Sequence, residues 1–566
     1  MTSSWWRTDA VAWRAHDWSI EVRGDELAEI RYGERMLLRA VRSAVRDHGW
    51  LTVPVRVLSL SSDASSLTLG LRHEGLGARL ESTLVVTADT DSLRIEWDAV
   101  NSDAFDTNRT GLVVLHPATD AGRPAVVVHP DGSSEQVRFP QAISPHQPIV
   151  GIRTLRVDDE FELEFAGDIF EMEDQRNWTD ASFKTYSRPL ELPYPYRLAA
   201  GERVRQSIMI RVLGSGHEPS TADEPVALVE AGTVPAIGVE ASTAPDPVPA
   251  SDVGDFRVVE LDLTTTNWRA ALDRAAADRV VLDVRLVTDG SEPALSEAAR
   301  RLARYLDEPG ILQVTAFDAT EHISDPRVVV ALRTALESAG LSVPVLAGAR
   351  SHFTELNREQ ARIEHEVTGI VVNTTPLFHT LDTEQLVEAL AMQRLIAEQS
   401  VSIADGAPVH IGPVSLRPRF NNVATTPEPA PRRTDLSEGY GAEFTGAVDS
   451  RQDAPELGAW VIASAAAFAV PGVASVSWFE TWGPRGLVSA NGRTAAADAI
   501  DALVALAGGT LLTGMAPDGL VWVIGSRTDA GAVALIANLD PEERRVSIEG
   551  FGDVRVGAGE WVRVGR

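Results

Sequence analysis

Hydrophobic and polar positions alternate along about the first 210 residues of the chain. The runs 19–23, 51–56, 66–70 and 92–97 each set apolar side chains at every second position, with Gly, Asp and Ser between the runs. A period of two is that of a half-buried strand. Many short strands with few helical patterns predict an all-β sandwich.

The rhythm changes after residues 239–254, where Pro245, Pro247 and Pro249 sit among small polar residues and read as a linker. Beyond it, apolar runs at 256–263, 280–287, 311–317, 344–348, 369–373, 410–416 and 474–479 alternate with amphipathic helix patterns such as 295–305, 326–339 and 383–398. Strand and helix in strict alternation predict a parallel sheet, and seven such strands favour a TIM-type (β/α)8 barrel. The best candidate for the eighth strand is 510–513. Period-two runs return at 520–524, 532–536 and 545–548. The expected layout is an N-terminal β-sandwich over 1–238, a linker over 239–254, a catalytic barrel over 255–514 and a small C-terminal β-domain over 515–566.

Composition narrows the function. The 566 residues carry 51 basic and 81 acidic side chains, a net charge of −30. The acid is spread along the chain, which disfavours nucleic acid and anionic membrane as partners. Cysteine is absent, which removes disulfides, thiolate nucleophiles and Cys-bearing metal sites. The longest uncharged stretch, 457–479, is broken by Pro471 and Gly472 into a helix of about a dozen residues and a short strand, below the ~20 residues of a membrane span. No signal-peptide core precedes Asp17, and the expected location is cytoplasmic.

Barrel enzymes carry their chemistry at the carboxyl ends of strands. Behind the run 344–348 stand Glu355, Asn357 and Arg358; the plainer reading of Glu355 is a helix-capping residue. Glu480 ends the run 474–479, flanked by Trp478, Phe479 and Trp482, a setting that desolvates a carboxylate and offers flat faces to a sugar. Its plainer reading is a surface salt bridge with Arg485. Glu355 and Glu480 are the expected catalytic pair. His379, Arg417, Arg419 and Asn421 follow other strands and are candidate substrate-binding donors with Asn357 and Arg485. The β-domain has a dense polar stretch over 170–186 that contributes Asp174, Arg176, Asn177, Asp180 and Lys184. Lys184 is the single lysine of the chain, retained where an ammonium in place of a guanidinium has a use. The serine-hydrolase elbow, the zinc-protease motif and the phosphate-binding loops are missing, so neither a metal nor a cofactor is expected.

The stretch Glu-Asp-Gln-Arg-Asn-Trp-Thr-Asp-Ala-Ser-Phe-Lys-Thr-Tyr at 173–186 resembles a signature of the D-apionate lactonase family of bacterial apiose catabolism. The segments 110–117, 353–358 and 479–486 are similar to the same family, and the likeness runs over most of the chain, whereas 373–379 departs from the usual pattern. The resemblance implies hydrolysis of the cyclic ester of a branched sugar acid. The resemblance carries over no catalytic residues; from their positions alone, Glu480 is expected to activate water, Lys184 or an arginine after the sixth strand to stabilise the oxyanion, and Glu355 to protonate the leaving oxygen. Two alternatives stand beside it. A glycoside hydrolase would use glutamates after strands four and seven, although Thr354 replaces the Asn that commonly precedes the acid in such enzymes. An inactive sugar-binding protein would leave Glu355 and Glu480 pointing apart or buried in salt bridges.

Overall fold

The computed structural model describes residues 10–214, 225–419, 434–440 and 448–566. The candidate Asn421 lies outside the described residues. The chain forms two compact units. One holds Arg7–Arg176 and Ala181–Ser220; the other holds Asn177–Asp180 and Thr221–Arg566.

The first unit is a β-sandwich of two nine-stranded antiparallel sheets among the described residues. Arg35–Asp47, Phe105–Pro117, Ser182–Ser187 and Phe170–Asp174 are consecutive neighbours in one sheet. Arg203–Val212, Ser92–Asn101, Ala78–Ala88 and Ser66–Gly75 are consecutive in the other. Alternation drives the fold: Leu80, Leu84 and Val86 are buried with Ile95, Trp97, Ile208 and Ile210, while their sequence neighbours face out. The run expected at 51–56 is displaced to Val55–Ser62, because Pro54 has no N–H for the ladder.

The second unit contains the barrel. Its strands are β1 (Ala236–Glu240), β2 (Phe256–Asp262), β3 (Leu282–Thr288), β4 (Ile311–Asp318), β5 (Val345–Gly348), β6 (Ile370–Val372), β7 (Val409–Val414) and β8 (Val473–Trp482). All pair in parallel, and β1 pairs with both β2 and β8, closing the ring. Gly348 ends β5 at φ +149°, where a Cβ would stand 1.9 Å from the Val371 carbonyl oxygen; only glycine lets the two backbones approach so closely.

The eighth strand corrects the sequence reading. It is Ala236–Glu240, ahead of the other seven, and not 510–513. Thr510–Met515 instead pairs antiparallel with Val521–Thr528 across a tight turn, which leaves no crossover helix for a parallel partner. It belongs to a five-stranded sheet with Val229–Thr233, Gly531–Asn538 and Trp561–Gly565. The uncharged stretch forms a helix, Leu457–Phe468, with every residue buried, followed by β8. Among the described residues no helix is long and apolar enough to cross a membrane.

Candidate active site

Three glutamates gather where β8, β1 and β2 adjoin. Phe479 has φ +46°, a conformation that costs a bulky residue strain. The register slips there, so that Val239 opposes Trp478 but Glu240 opposes Glu480. This bulge brings the two carboxylates together at the ends of neighbouring strands. Glu480 Oε2 accepts from the Thr243 backbone N–H and Oε1 from Thr243 Oγ1, both at 2.9 Å. Arg485 Nη2 is 2.8 Å from Glu480 Oε1. Arg419, following β7, is ion-paired with Glu240.

Burial and the charges of Glu480 and Glu260 push the Glu240 carboxyl up to about 8, against the opposing pull of Arg419 and Arg485. Glu240 therefore holds its proton more tightly than an ordinary carboxyl. Glu260 goes the other way. Burial raises it, but the guanidiniums of Arg350, Arg419 and Arg285 together hold it below the ordinary carboxylate value. Arg350, from the end of β5, donates to Glu260 Oε1 through Nε at 3.1 Å and Nη2 at 2.8 Å.

Glu355 occupies the first turn of the helix Phe353–Glu359, where its Oε2 accepts from the His352 backbone N–H at 2.9 Å. The capping role foreseen for it is thus present. Burial pushes its carboxyl up to about 7, although Ser351, the backbone and Arg358 pull it down. It shares no hydrogen-bond partner with Glu480 among the described residues.

The remaining candidates separate into three sets. Asn177 and Asp180 belong to the barrel unit, where Asn357 Nδ2 donates to Asn177 Oδ1 at 2.9 Å and Asp180 Oδ2 lies 2.5 Å from His379 Nδ1. These sit beside a cluster of rings: Trp178 and Phe378 at 4.5 Å, His352 and Phe378 at 4.6 Å, and His379 and Phe378 at 4.8 Å between centroids. Asp174 and Arg176 belong to the sandwich unit, where Arg176 is tied to both Asp174 oxygens and to the carbonyls of Pro140, Gln141 and Ala142. That pair fastens a loop. Lys184 also lies in the sandwich unit, 2.5 Å from Glu173 Oε2, and burial pushes its ammonium down to about 8. Arg417 donates to Asp449 Oδ2 at 2.8 Å, an oxygen that Arg451 also holds.

Two expectations change. Trp478 and Phe479 do not offer faces to a sugar: both are buried, and the Trp478 indole N–H donates to Ser464 Oγ on the helix behind β8. The bulge at Phe479 breaks the alternation of the pleat, so that these aromatics and Glu480 face different surroundings. Counting from the true first strand, Glu355 follows strand five and Glu480 ends strand eight. The four-and-seven placement behind the glycosidase alternative does not hold. Sequence reading missed Glu240, Glu260, Arg350, Thr243, Trp178 and His352. The short apolar run 236–239 ahead of Glu240 was the available signal for the first of these.

A groove of about 880 Å³ on the sandwich is lined by Glu81, Glu96, Asp98, Arg203 and Arg205. Its charges are taken up in ion pairs, Arg203 and Arg205 both on Asp98, Glu81 with Arg72 and Glu96 with Arg94, so it has no convergent reactive set.

Comparison with known proteins places the chain. Residues 2–215 match the model of the D-apionate lactonase N-terminal domain, and residues 239–509 match that of the D-apionate lactonase TIM barrel domain. A D-apionate lactonase of Brucella anthropi is 29% identical over 445 residues, covering 71% of this chain and 72% of its own. Among solved structures, a beta-arabinopyranosidase covers 98% of each chain at 10% identity, with a TM-score of 0.27. A galactose mutarotase-like protein from Lactobacillus casei matches 36% of this chain and 100% of its own at 10% identity, again with a TM-score of 0.27. Sandwich, barrel and matched domains define a sugar lactonase, a carboxylic-ester hydrolase built on a TIM barrel. More narrowly, the chain belongs to the D-apionate lactonase family.

Proposed function

We propose that the protein opens D-apionolactone, or a closely related sugar-acid lactone, at the carboxyl end of its barrel. The observation that carries this reading is the opposition of Glu240 and Glu480 at adjacent strand ends, in environments that separate their roles. Two neighbouring carboxyls, each facing an arginine and one of them, Glu240, shifted by burial toward its protonated form, supply an acid and a base.

Glu480 takes the proton of a water molecule as it adds to the lactone carbonyl. The oxyanion is stabilised by the guanidinium of Arg419 or Arg485, which pair with these carboxyls, whereas the Lys184 ammonium pairs with Glu173. Collapse of the tetrahedral intermediate expels the ring oxygen, which takes a proton from a neutral carboxyl. Glu240 and Glu355 both hold a proton near neutrality, and Glu240 is the one beside Glu480. Glu480→Gln tests the assignment. Lactone turnover should fall about 10²- to 10⁴-fold with folding intact. Turnover at the wild-type rate would remove Glu480 from the chemistry.

A further inference from the structure

The ring cluster beside β5 contains polar atoms that the mechanism above does not use, among them those of His352, the N-cap of the helix Phe353–Glu359. His352 is 1% exposed, and neither of its ring nitrogens has a hydrogen-bond partner among the described residues. The same holds for Thr354 Oγ1 and Trp178 Nε1, both buried. Buried polar groups are nearly always bonded, and an unbonded one is costly, so three such atoms on the adjoining rings of Trp178 and His352, and a fourth on Thr354 two residues beyond His352, call for an explanation.

The backbone around them is held in a strained form. Thr179, a β-branched residue, has φ +67°. Its hydroxyl lies 2.5 Å from Thr374 Oγ1, and its carbonyl accepts from Gln385 Nε2 at 3.1 Å. Those bonds fix Trp178 against Phe378 at an interplanar angle of 32°, and His352 meets the Phe378 face edge-on at 87°.

The chemistry of these atoms selects a ligand class. Burial and the neighbouring His379 push the His352 imidazole down to about 3, so it is neutral, with one N–H donor and one acceptor nitrogen. Thr354 offers a hydroxyl that both donates and accepts, and Trp178 offers a donor. Neutral donors and acceptors beside flat rings suit the hydroxyls and C–H face of a small polyol ring, and the Arg358 guanidinium, 5.8 Å over the Trp178 ring, adds a nearby cation.

We propose that His352, Thr354 and Trp178 form a hydroxyl-recognition subsite that selects a hydroxylated lactone over an unsubstituted one. The inference rests on the lactonase reading and adds what that reading leaves open, namely which residues sense the hydroxyls.

The test compares kcat/KM for D-erythronolactone and for γ-butyrolactone, the same ring without hydroxyls, in wild-type protein, His352→Phe and His352→Gln. The preference for the hydroxylated lactone should fall about tenfold or more in His352→Phe. His352→Gln, which keeps a donor and an acceptor, should recover part of it. Equal losses on both lactones, or an unchanged preference, would overturn the subsite. If wild-type protein opens neither lactone, the lactonase reading fails by itself. The subsite is then decided by calorimetric titration with D-erythronolactone: binding by wild type and not by His352→Phe upholds it, and equal binding or none overturns it.

Discussion

Arg350 and Glu260 form a buried two-point ion pair, with the guanidinium at the end of β5 reaching a carboxylate on β2. The pair joins strands that are not neighbours in the barrel, so it ties one side of the mouth to another. Removing one partner of a buried pair leaves an uncompensated charge, which costs more than the pair contributes. Arg350→Met should therefore lower stability by about 3–5 kcal/mol. Adding Glu260→Gln should restore much of the loss. Denaturant unfolding of the single and double variants checks this, and additive losses would contradict it.

Glu240 sets an alkaline limit on the reaction. Its carboxyl, pushed up to about 8 by burial first and by the two neighbouring glutamates next, is a proton donor only below that pH. The kcat of the wild type should decline as pH rises through about 8. In Glu240→Gln the rate should be lower and that limb should vanish, because an amide does not titrate in this range. A limb that persists unchanged in the variant would assign the titration to another group.

How much of this was legible in the sequence depends on the period of each segment. Seven barrel strands announce themselves as apolar runs, and each lies within a few residues of its expected place. Ala236–Glu240 was hidden because prolines follow it closely, and the same prolines drew Glu240 into the expected linker. The position of Glu480 at a strand end was legible. The register slip at Phe479 that turns it toward Glu240 was not, since hydrophobic period carries no record of a bulge. The stretch over 170–186 read as one functional unit, yet Asp174 and Arg176 fasten a loop of the sandwich unit while Asn177–Asp180 belong to the barrel unit. Adjacent residues can serve separate cores, and only the tertiary contacts reveal it.

Glu355 couples stability to pH in a direction opposite to the usual carboxylate. Burial raises it from 4.5 to about 7, so between those values the unfolded chain has released a proton that the folded chain keeps. Stability from this group is full below 4.5 and is lost as pH rises through about 7. Glu355→Gln mimics the protonated form and retains an acceptor for the His352 N–H. Relative to wild type it should gain on the order of 2–3 kcal/mol between pH 4.5 and pH 8. Thermal unfolding at both pH values measures the difference, and a constant difference would mean that Glu355 is ionised in the folded protein.

The single lysine makes the burial of its own site directly measurable. Lys184 has an ammonium pushed down to about 8, which at mildly alkaline pH leaves a large fraction as the nucleophilic amine. Its side chain is 8% exposed and paired with Glu173, so access and not basicity limits its reaction. Acylation of Lys184 by an amine-specific ester at pH 8 should be slow in native protein and should rise in step with urea unfolding, followed by mass spectrometry of the peptide that contains it. Fast labelling of the native protein would show the amine open to solvent and would break the link between its lowered basicity and burial. Lys184→Met should leave Glu173 without this cation and destabilise the protein, and Lys184→Arg should rescue it poorly, because the planar guanidinium must fit where Arg109 and Arg46 already crowd the ammonium.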